Sequence, residues 1–285
     1  MNDITRHQKR RLKAHFGFTK TPFHKSMKAR DMFDSCGQRE LYQALGMWAD
    51  LRGIALVSGA SGVGKSITLR RFVADLDEAR YRVVRFTYLP TTVTGFLRSF
   101  SRSLGLRMRM HGADLFDAAR EHLVAYEDEH GPHPVILIDD AEGISVPVLD
   151  AIRRLTAYEL DAEDRFSVLL SGTEDILSAL RHPNLDSLRS RIGYAQILKA
   201  FTLEDTRNYI RFHLERADVK ADLFSDDAVR RVFQATHGKP RSINQLCLQT
   251  LVQAVVRGID RVDGKFMATQ IAAHPLYPST SGGGQ

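Results

Sequence analysis

The sequence predicts an α/β protein: a five-stranded parallel sheet with helices on both faces, followed by a small all-helical region. Three observations predict it. A glycine-rich segment, GASGVGKS from Gly59 to Ser66, lies between the apolar run Ile54-Ala55-Leu56-Val57 and a stretch of helical spacing that starts at Ile67. Strand-like and helix-like patterns alternate from residue 53 to residue 199. From Thr202 onward the strand signals stop, and only helical periodicity remains.

Strands are expected at 53–58, 81–88, 134–139, 166–171 and 194–199, as short runs rich in β-branched and apolar residues. A helix is expected from Arg39 to Leu51, and others near 65–79, 94–104, 113–129, 145–159, 174–181 and 185–191. The all-helical part reads as 203–217, 225–236, 240–258 and 264–272. The resulting organisation is a basic N-terminal arm with an aromatic linker at 1–34, the α/β domain at 35–200, a helical lid at 201–273 and a disordered tail at 274–285.

Hydrophobic residues make up 43% of the 285 residues and charged residues 26%, ordinary values for a globular chain. The net charge of +6 suits an anionic partner, nucleic acid before membrane. Residues 1–30 carry nine Lys or Arg against one acid, Asp3. Cys36 and Cys247 match no metal or redox spacing and read as buried small apolar residues in a reducing compartment. No apolar run has the length of a membrane span, and the N-terminus lacks a signal-peptide core, so the expected location is the cytoplasm.

GASGVGKS fits the phosphate-binding pattern G-x-x-x-x-G-K-[S/T], and its strand–loop–helix setting is the one that pattern requires. Gly59, Ala60, Ser61, Gly62, Val63 and Gly64 would turn backbone N–H groups toward an anion, with Ile67 following in the helix. Lys65 would reach the β- and γ-phosphates, and Ser66 would hold Mg2+. The run Val135-Ile136-Leu137-Ile138 delivers Asp139 to the end of a buried strand, where a second Mg2+-organising group stands. Asp140 occupies the place of the water-activating base, one methylene shorter than the more usual Glu; Glu142 could reach the same side, or both could simply open a loop.

At the tip of the fourth strand, Ser171 or Thr173 could orient the attacking water or sense the γ-phosphate, and Thr173 could instead cap the next helix. Arg189 or Arg191, in LRSRI, could be supplied across a subunit interface to a neighbour's γ-phosphate. Arg241, in GKPRSIN, opens a helix of the lid and would point back toward the phosphates.

The set GASGVGKS, ILIDD, LLSGT, LRSRI and GKPRSIN, in this order, resembles the AAA+ ATPases of the P-loop NTPase class over most of residues 35–260. FGFTKTPF near the start, together with GKPRSIN, is similar to the ExeA/GspA-like branch, which includes secretion ATPases and transposition helpers of the TniB, TnsC and Mu B types. The resemblance implies an ATP hydrolase using ATP and Mg2+. It makes Lys65 and Ser66 the Walker A pair, Asp139 the Walker B acid, Ser171 or Thr173 sensor 1, Arg189 or Arg191 the arginine finger and Arg241 sensor 2. Asp140 in place of Glu departs from the pattern and implies slow hydrolysis.

Secretion ATPases of that branch continue into a membrane helix, which this sequence lacks; with the basic charge, that favours DNA transposition. The expected partners are double-stranded DNA bound without sequence preference, a transposase, a target-selector protein and further copies of the chain in a ring or helical filament, with no membrane. Expected DNA contacts are Thr92, Arg98, Arg102, Arg107 and Arg109, and Lys9, Arg10 and Arg11 in the arm. A secretion-pathway assembly ATPase and an initiator- or clamp-loader-like ATPase are the alternatives.

Overall fold

The computed structural model describes residues 6–24, 31–86, 90–107, 111–157, 164–219, 221–275 and 277. They form two compact units: Cys36–Ser61 with Lys65–Lys199, and Met1–Ser35 with Gly62–Gly64 and Ala200–Gln285.

The first unit is the expected parallel α/β structure. It contains α2 (Cys36–Leu51), β1 (Ile54–Ser58), α3 (Lys65–Asp75), β2 (Tyr81–Phe86), α4 (Val93–Ser103), α5 (Gly112–His130), β3 (His133–Ile138), α6 (Val146–Thr156), β4 (Ser167–Gly172), α7 (Asp175–Leu180), α8 (Asp186–Ser190) and β5 (Ile192–Ile197). The strands lie in the order β2-β3-β4-β1-β5. All pairings are parallel, with Ile54 opposite Val168, Ser58 opposite Gly172 and Ile138 opposite Leu170.

Every residue of β1, β3 and β4 is buried, as expected of strands covered on both faces. Ile54, Leu56, Ile136, Ile138, Val168 and Leu170 share one core with the apolar faces of α4, α5 and α6. The alternate residues Ala55, Val57, Leu137 and Leu169 point to the other side. On the helix pair α2–α3, Trp48 and Phe72 bring their rings to 6.5 Å.

The second unit holds α9 (Leu203–Glu215), α10 (Asp226–Thr236), α11 (Pro240–Arg257) and α12 (Gly264–Ala272). Its helix starts follow the sequence closely because each carries a local start signal. Thr202 and Asp205 form a capping box, Ser225 and Asp263 cap α10 and α12, and Pro240 opens α11.

The described residues of 1–34 are not the free basic arm and linker expected. Arg6–Phe16 is a helix, α1, packed against α11. Leu12, Phe18 and Phe23 join the core of the helical unit, with Leu12 only 1% exposed. Thr19 N donates to Ala217 O at 3.1 Å. Phe33 makes edge contacts with Phe201, Tyr209 and Phe212. The apolar residues spaced among the basic ones decide the outcome: burying them offsets the ordering of a charged helix whose Arg10 and Arg11 stay in water. Cys36 also departs from expectation; it is exposed and donates to Glu40 Oε1, whereas Cys247 is buried. The tail expected at 274–285 is ordered where it is described: His274 is buried and Tyr277 packs against the helical core, while 276 and the residues from 278 onward lie outside the described residues.

His213 ties the N-terminal segment to α9. Its Nδ1 accepts from Phe23 N at 3.2 Å, and its Nε2 is buried without a hydrogen-bond partner. Burial, helped by the Arg216 charge, drives its pKa from the ordinary 6.5 down to about 3. An unfolded chain therefore takes up a proton below pH 6.5 that the folded chain refuses until about pH 3. The helical unit should lose stability through that window at about 1.4 kcal/mol per pH unit. Urea unfolding near pH 7.5 and near pH 5 measures the loss, and His213→Gln should make it smaller.

Candidate functional site

The C-terminal edge of the sheet gathers the chemistry. β1 ends at Ser58, and the glycine-rich loop follows with Gly59, Gly62 and Gly64 at φ of 152°, 84° and 113°. A Cβ on Gly59 would sit 2.4 Å from Leu198 O, so no other residue fits there without moving the backbone. Such successive turns direct N–H groups into one concavity at the start of α3, which is an anion-binding geometry.

Lys65 is 8% exposed, and its Nζ donates to Gly59 O at 2.7 Å and Ala60 O at 3.3 Å, which holds the ammonium across the loop. Val63 is buried and anchors the loop, while Ser61 and Ser66 are exposed and Ala60 and Ile67 half-buried.

Strand order sets what stands beside the loop. β4 lies between β1 and β3, so the loop, Ser171 and Asp139 emerge from three adjacent strand ends. Neighbouring strands are about 4.8 Å apart, which puts the Asp139 strand about 10 Å from the loop strand. Asp139 is half-buried, and its Oδ1 accepts from Asp140 N at 3.1 Å. Asp140 takes a left-handed conformation at φ 55° and is exposed; it turns the chain off the sheet into a 3-10 turn at Ala141–Gly143.

Ser171, opposite Val57 in the β1–β4 register, is fully buried, and its hydroxyl has no hydrogen-bond partner. A buried hydroxyl left unpaired costs about 1–3 kcal/mol, so such a group in a native fold goes with local strain, a functional partner or an ordered water. Thr173 is engaged locally. Its Oγ1 donates to Asp175 Oδ2 at 3.1 Å, and its N donates to Glu142 Oε2 at 3.0 Å. The structure thus separates the two sensor candidates: Ser171 holds a hydroxyl in reserve and Thr173 does not. Thr173 does not cap α7 either, since Glu174 occupies that position. The Glu142 bond went unrecognised in the sequence, although Gly172 in LLSGT leaves room for it.

The two arginines of LRSRI are also told apart. Arg191 Nη1 donates to Arg153 O at 3.3 Å and sits 3.5 Å from Thr156 Oγ1, at the carbonyl end of α6. Arg189 pairs with Asp186 at 2.7 Å, donates to Leu180 O at 3.2 Å and keeps a side chain 50% exposed. In the helical unit, Arg241 is the second residue of α11, exposed, and its N donates to Gly62 O at 3.2 Å.

Of the expected DNA contacts, Arg98, Arg102 and Arg107 are exposed on and after α4, while Thr92 caps that helix by accepting from Gly95 N. Arg10 and Arg11 are exposed on α1; Lys9 lies in α1 too, and Arg109 falls outside the described residues. Among the described residues no three His, Cys, Asp or Glu side chains converge as a metal cage. One carboxylate and one hydroxyl beside a phosphate loop is instead the donor set by which Mg2+ is held together with substrate phosphates. The orphaned Ser171 hydroxyl and the positive-φ loop fit a bound nucleoside triphosphate.

Residues 49–180 match the family model of an AAA domain. The chain is 28% identical over 255 residues to general secretion pathway protein A of Aeromonas hydrophila, a match covering 87% of this chain and 45% of that one. The chain therefore spans less than half the length of this relative. Among solved structures, the ORC1 protein of Aeropyrum pernix in complex with DNA aligns with a TM-score of 0.63 at 17% identity, over 90% of this chain and 69% of that one. Cdc6p of Pyrobaculum aerophilum aligns at 0.61 and 19% identity, over 92% and 70%. The fold is the one these structures share, a parallel α/β sheet with helices followed by a helical C-terminal region. The curated relative belongs to secretion, so it supports the alternative expectation rather than the transposition-helper branch. No helix among the described residues is long and apolar enough to cross a membrane.

Replacing Ser171 with alanine separates folding from function. Thermal unfolding should show stability unchanged or raised by about 1 kcal/mol, because an unsatisfied buried hydroxyl is removed. Nucleoside triphosphate turnover should fall at least about tenfold if that hydroxyl serves the site.

Proposed function

We propose that the chain is a Mg2+-dependent ATPase of the AAA+ type that works as a slow assembly switch. The observation that carries this reading is the row of three adjacent strand ends: a glycine loop, a buried hydroxyl without a partner and a carboxylate.

The loop N–H groups and Lys65 bind the β- and γ-phosphates, and Ser66 with Asp139 holds Mg2+. Bound Mg2+ supplies charge neutralisation at the transferring phosphoryl group. Asp140 accepts a proton from the attacking water, and Ser171 orients that water. Asp140 is short and placed on a left-handed turn, so water activation is weak and turnover slow. Arg189, the more exposed of its pair, serves a neighbouring subunit's γ-phosphate, and Arg241 serves as a nucleotide sensor. ATP thereby couples to a homo-oligomer, because a finger in trans acts only when a neighbour is in place.

The secretion-pathway relative favours assembly of a secretion complex as the biological role. A second reading, a DNA-bound ring or filament that serves a transposase and target selector, is favoured by the exposed Arg98, Arg102 and Arg107.

Lys65→Ala should abolish binding of a fluorescent ATP analogue. Arg189→Ala should bind ATP within about threefold of wild type yet lose about 1000-fold in turnover, the scale of an arginine finger. ATP-binding titration and phosphate release measure the two. Failure of wild-type protein to bind Mg-ATP would sink the proposal. For the second reading, duplex binding measured against salt should flatten by about two in slope in an Arg98→Gln/Arg102→Gln variant.

A further inference from the structure

We infer that Glu142 is a positioning residue that sets the distance between the Asp139 turn and the Ser171 strand tip, and so regulates the proposed hydrolysis site. The inference rests on the ATPase reading for its kinetic consequence, though not for its geometry.

The pairing of β3 with β4 ends at Ile138 opposite Leu170. One residue further, Asp139 and Ser171 stand at matching positions, but Asp140 turns left-handed and carries the chain away. The ladder cannot continue, so the amide of Thr173 has no strand beside it on that side. The Glu142 carboxylate takes the vacated place, with Oε2 accepting from Thr173 N at 3.0 Å.

The approach is tight. A Cβ on Gly172 would lie 2.6 Å from Glu142 Oε2, 3.0 Å from Glu142 N and 3.4 Å from Ala141 N. Glycine at 172 is therefore what lets the 3-10 turn lie against β4. A charged acceptor on a backbone N–H is among the stronger hydrogen bonds a loop can make. One side-chain bond thus spans the two strand ends that carry the proposed metal-site acid and the proposed water-orienting hydroxyl, and Glu142 touches neither reacting group directly.

A strut and a general base make opposite demands on this side chain. A base must lose a proton-accepting carboxylate when Glu142 becomes Gln, whereas a strut keeps its acceptor oxygen. The test compares wild type with Glu142→Gln, Glu142→Ala and Gly172→Ala. Three measurements are made: amide hydrogen exchange at Thr173, Mg-ATP affinity, and kcat. The strut predicts faster Thr173 exchange in Glu142→Ala and Gly172→Ala, with Gln close to wild type. ATP affinity should stay within about threefold throughout, since the loop is untouched, while kcat falls at least about tenfold in the Ala variants and recovers to within about threefold in Gln.

Equal exchange at Thr173 in wild type and Glu142→Ala would overturn the strut. So would a Gln variant as slow as the Ala variant, which would make Glu142 the base, and so would wild-type kcat in Glu142→Ala. If wild type turned over no ATP while Thr173 exchange still responded to Glu142, the ATPase reading would fail and the strut would stand. Circular dichroism and thermal unfolding of each variant confirm that the differences are read on folded protein.

Discussion

The structure depends on the burial of β1 between two parallel partners. Each of its residues is inside, β4 bonds one edge and β5 the other, and the chain leaves it at Ser58 with little freedom of direction. The loop that follows must then pass within a hydrogen-bond length of Leu198 O, and only glycine at 59 allows it. The rigid strand is the support and the glycine loop is what it holds in place. A phosphate site built on backbone N–H groups needs that rigidity, because its donors cannot rotate independently as side chains do.

The same logic distributes the remaining groups. Parallel strands all end on the same edge, so a sequence that puts one polar residue after each apolar run lines those residues up without further instruction. Strand order then decides which become neighbours. Placing β4 between β1 and β3 puts a hydroxyl between the loop and an acid. The stability lost by leaving Ser171 unpaired is offset by the apolar core that its neighbours Val168 and Leu170 help to form.

Much of this was legible in the sequence. The strands were apolar enough, and the helix starts of the second unit carried enough caps, for all five strands and the later helices to be placed within a few residues. The loop, Lys65 and Asp139 were legible because motif and flanking periodicity agree. Residues that the sequence leaves alike differ in the contacts they make once folded. Ser171 and Thr173 look alike in LLSGT, and only the Glu142 and Asp175 partners separate them. Arg189 and Arg191 differ by which carbonyls lie nearby. The basic start reads as a tail because its charges outnumber its apolar residues, yet Leu12, Phe18 and Phe23 suffice to fold it into a core contributed by residues near the other end.

That last contact has a bearing on biosynthesis. The α/β unit is nearly continuous along the chain, and its strands and helices can settle as they leave the ribosome. The helical unit instead joins the first thirty-five residues to those after 199, so its earliest helix must wait, with Leu12 and the phenylalanines uncovered, until α11 has been made. During that wait the nascent chain presents a greasy, cationic segment to whatever surrounds it. Burial of that stretch is therefore among the last steps by which the helical unit closes.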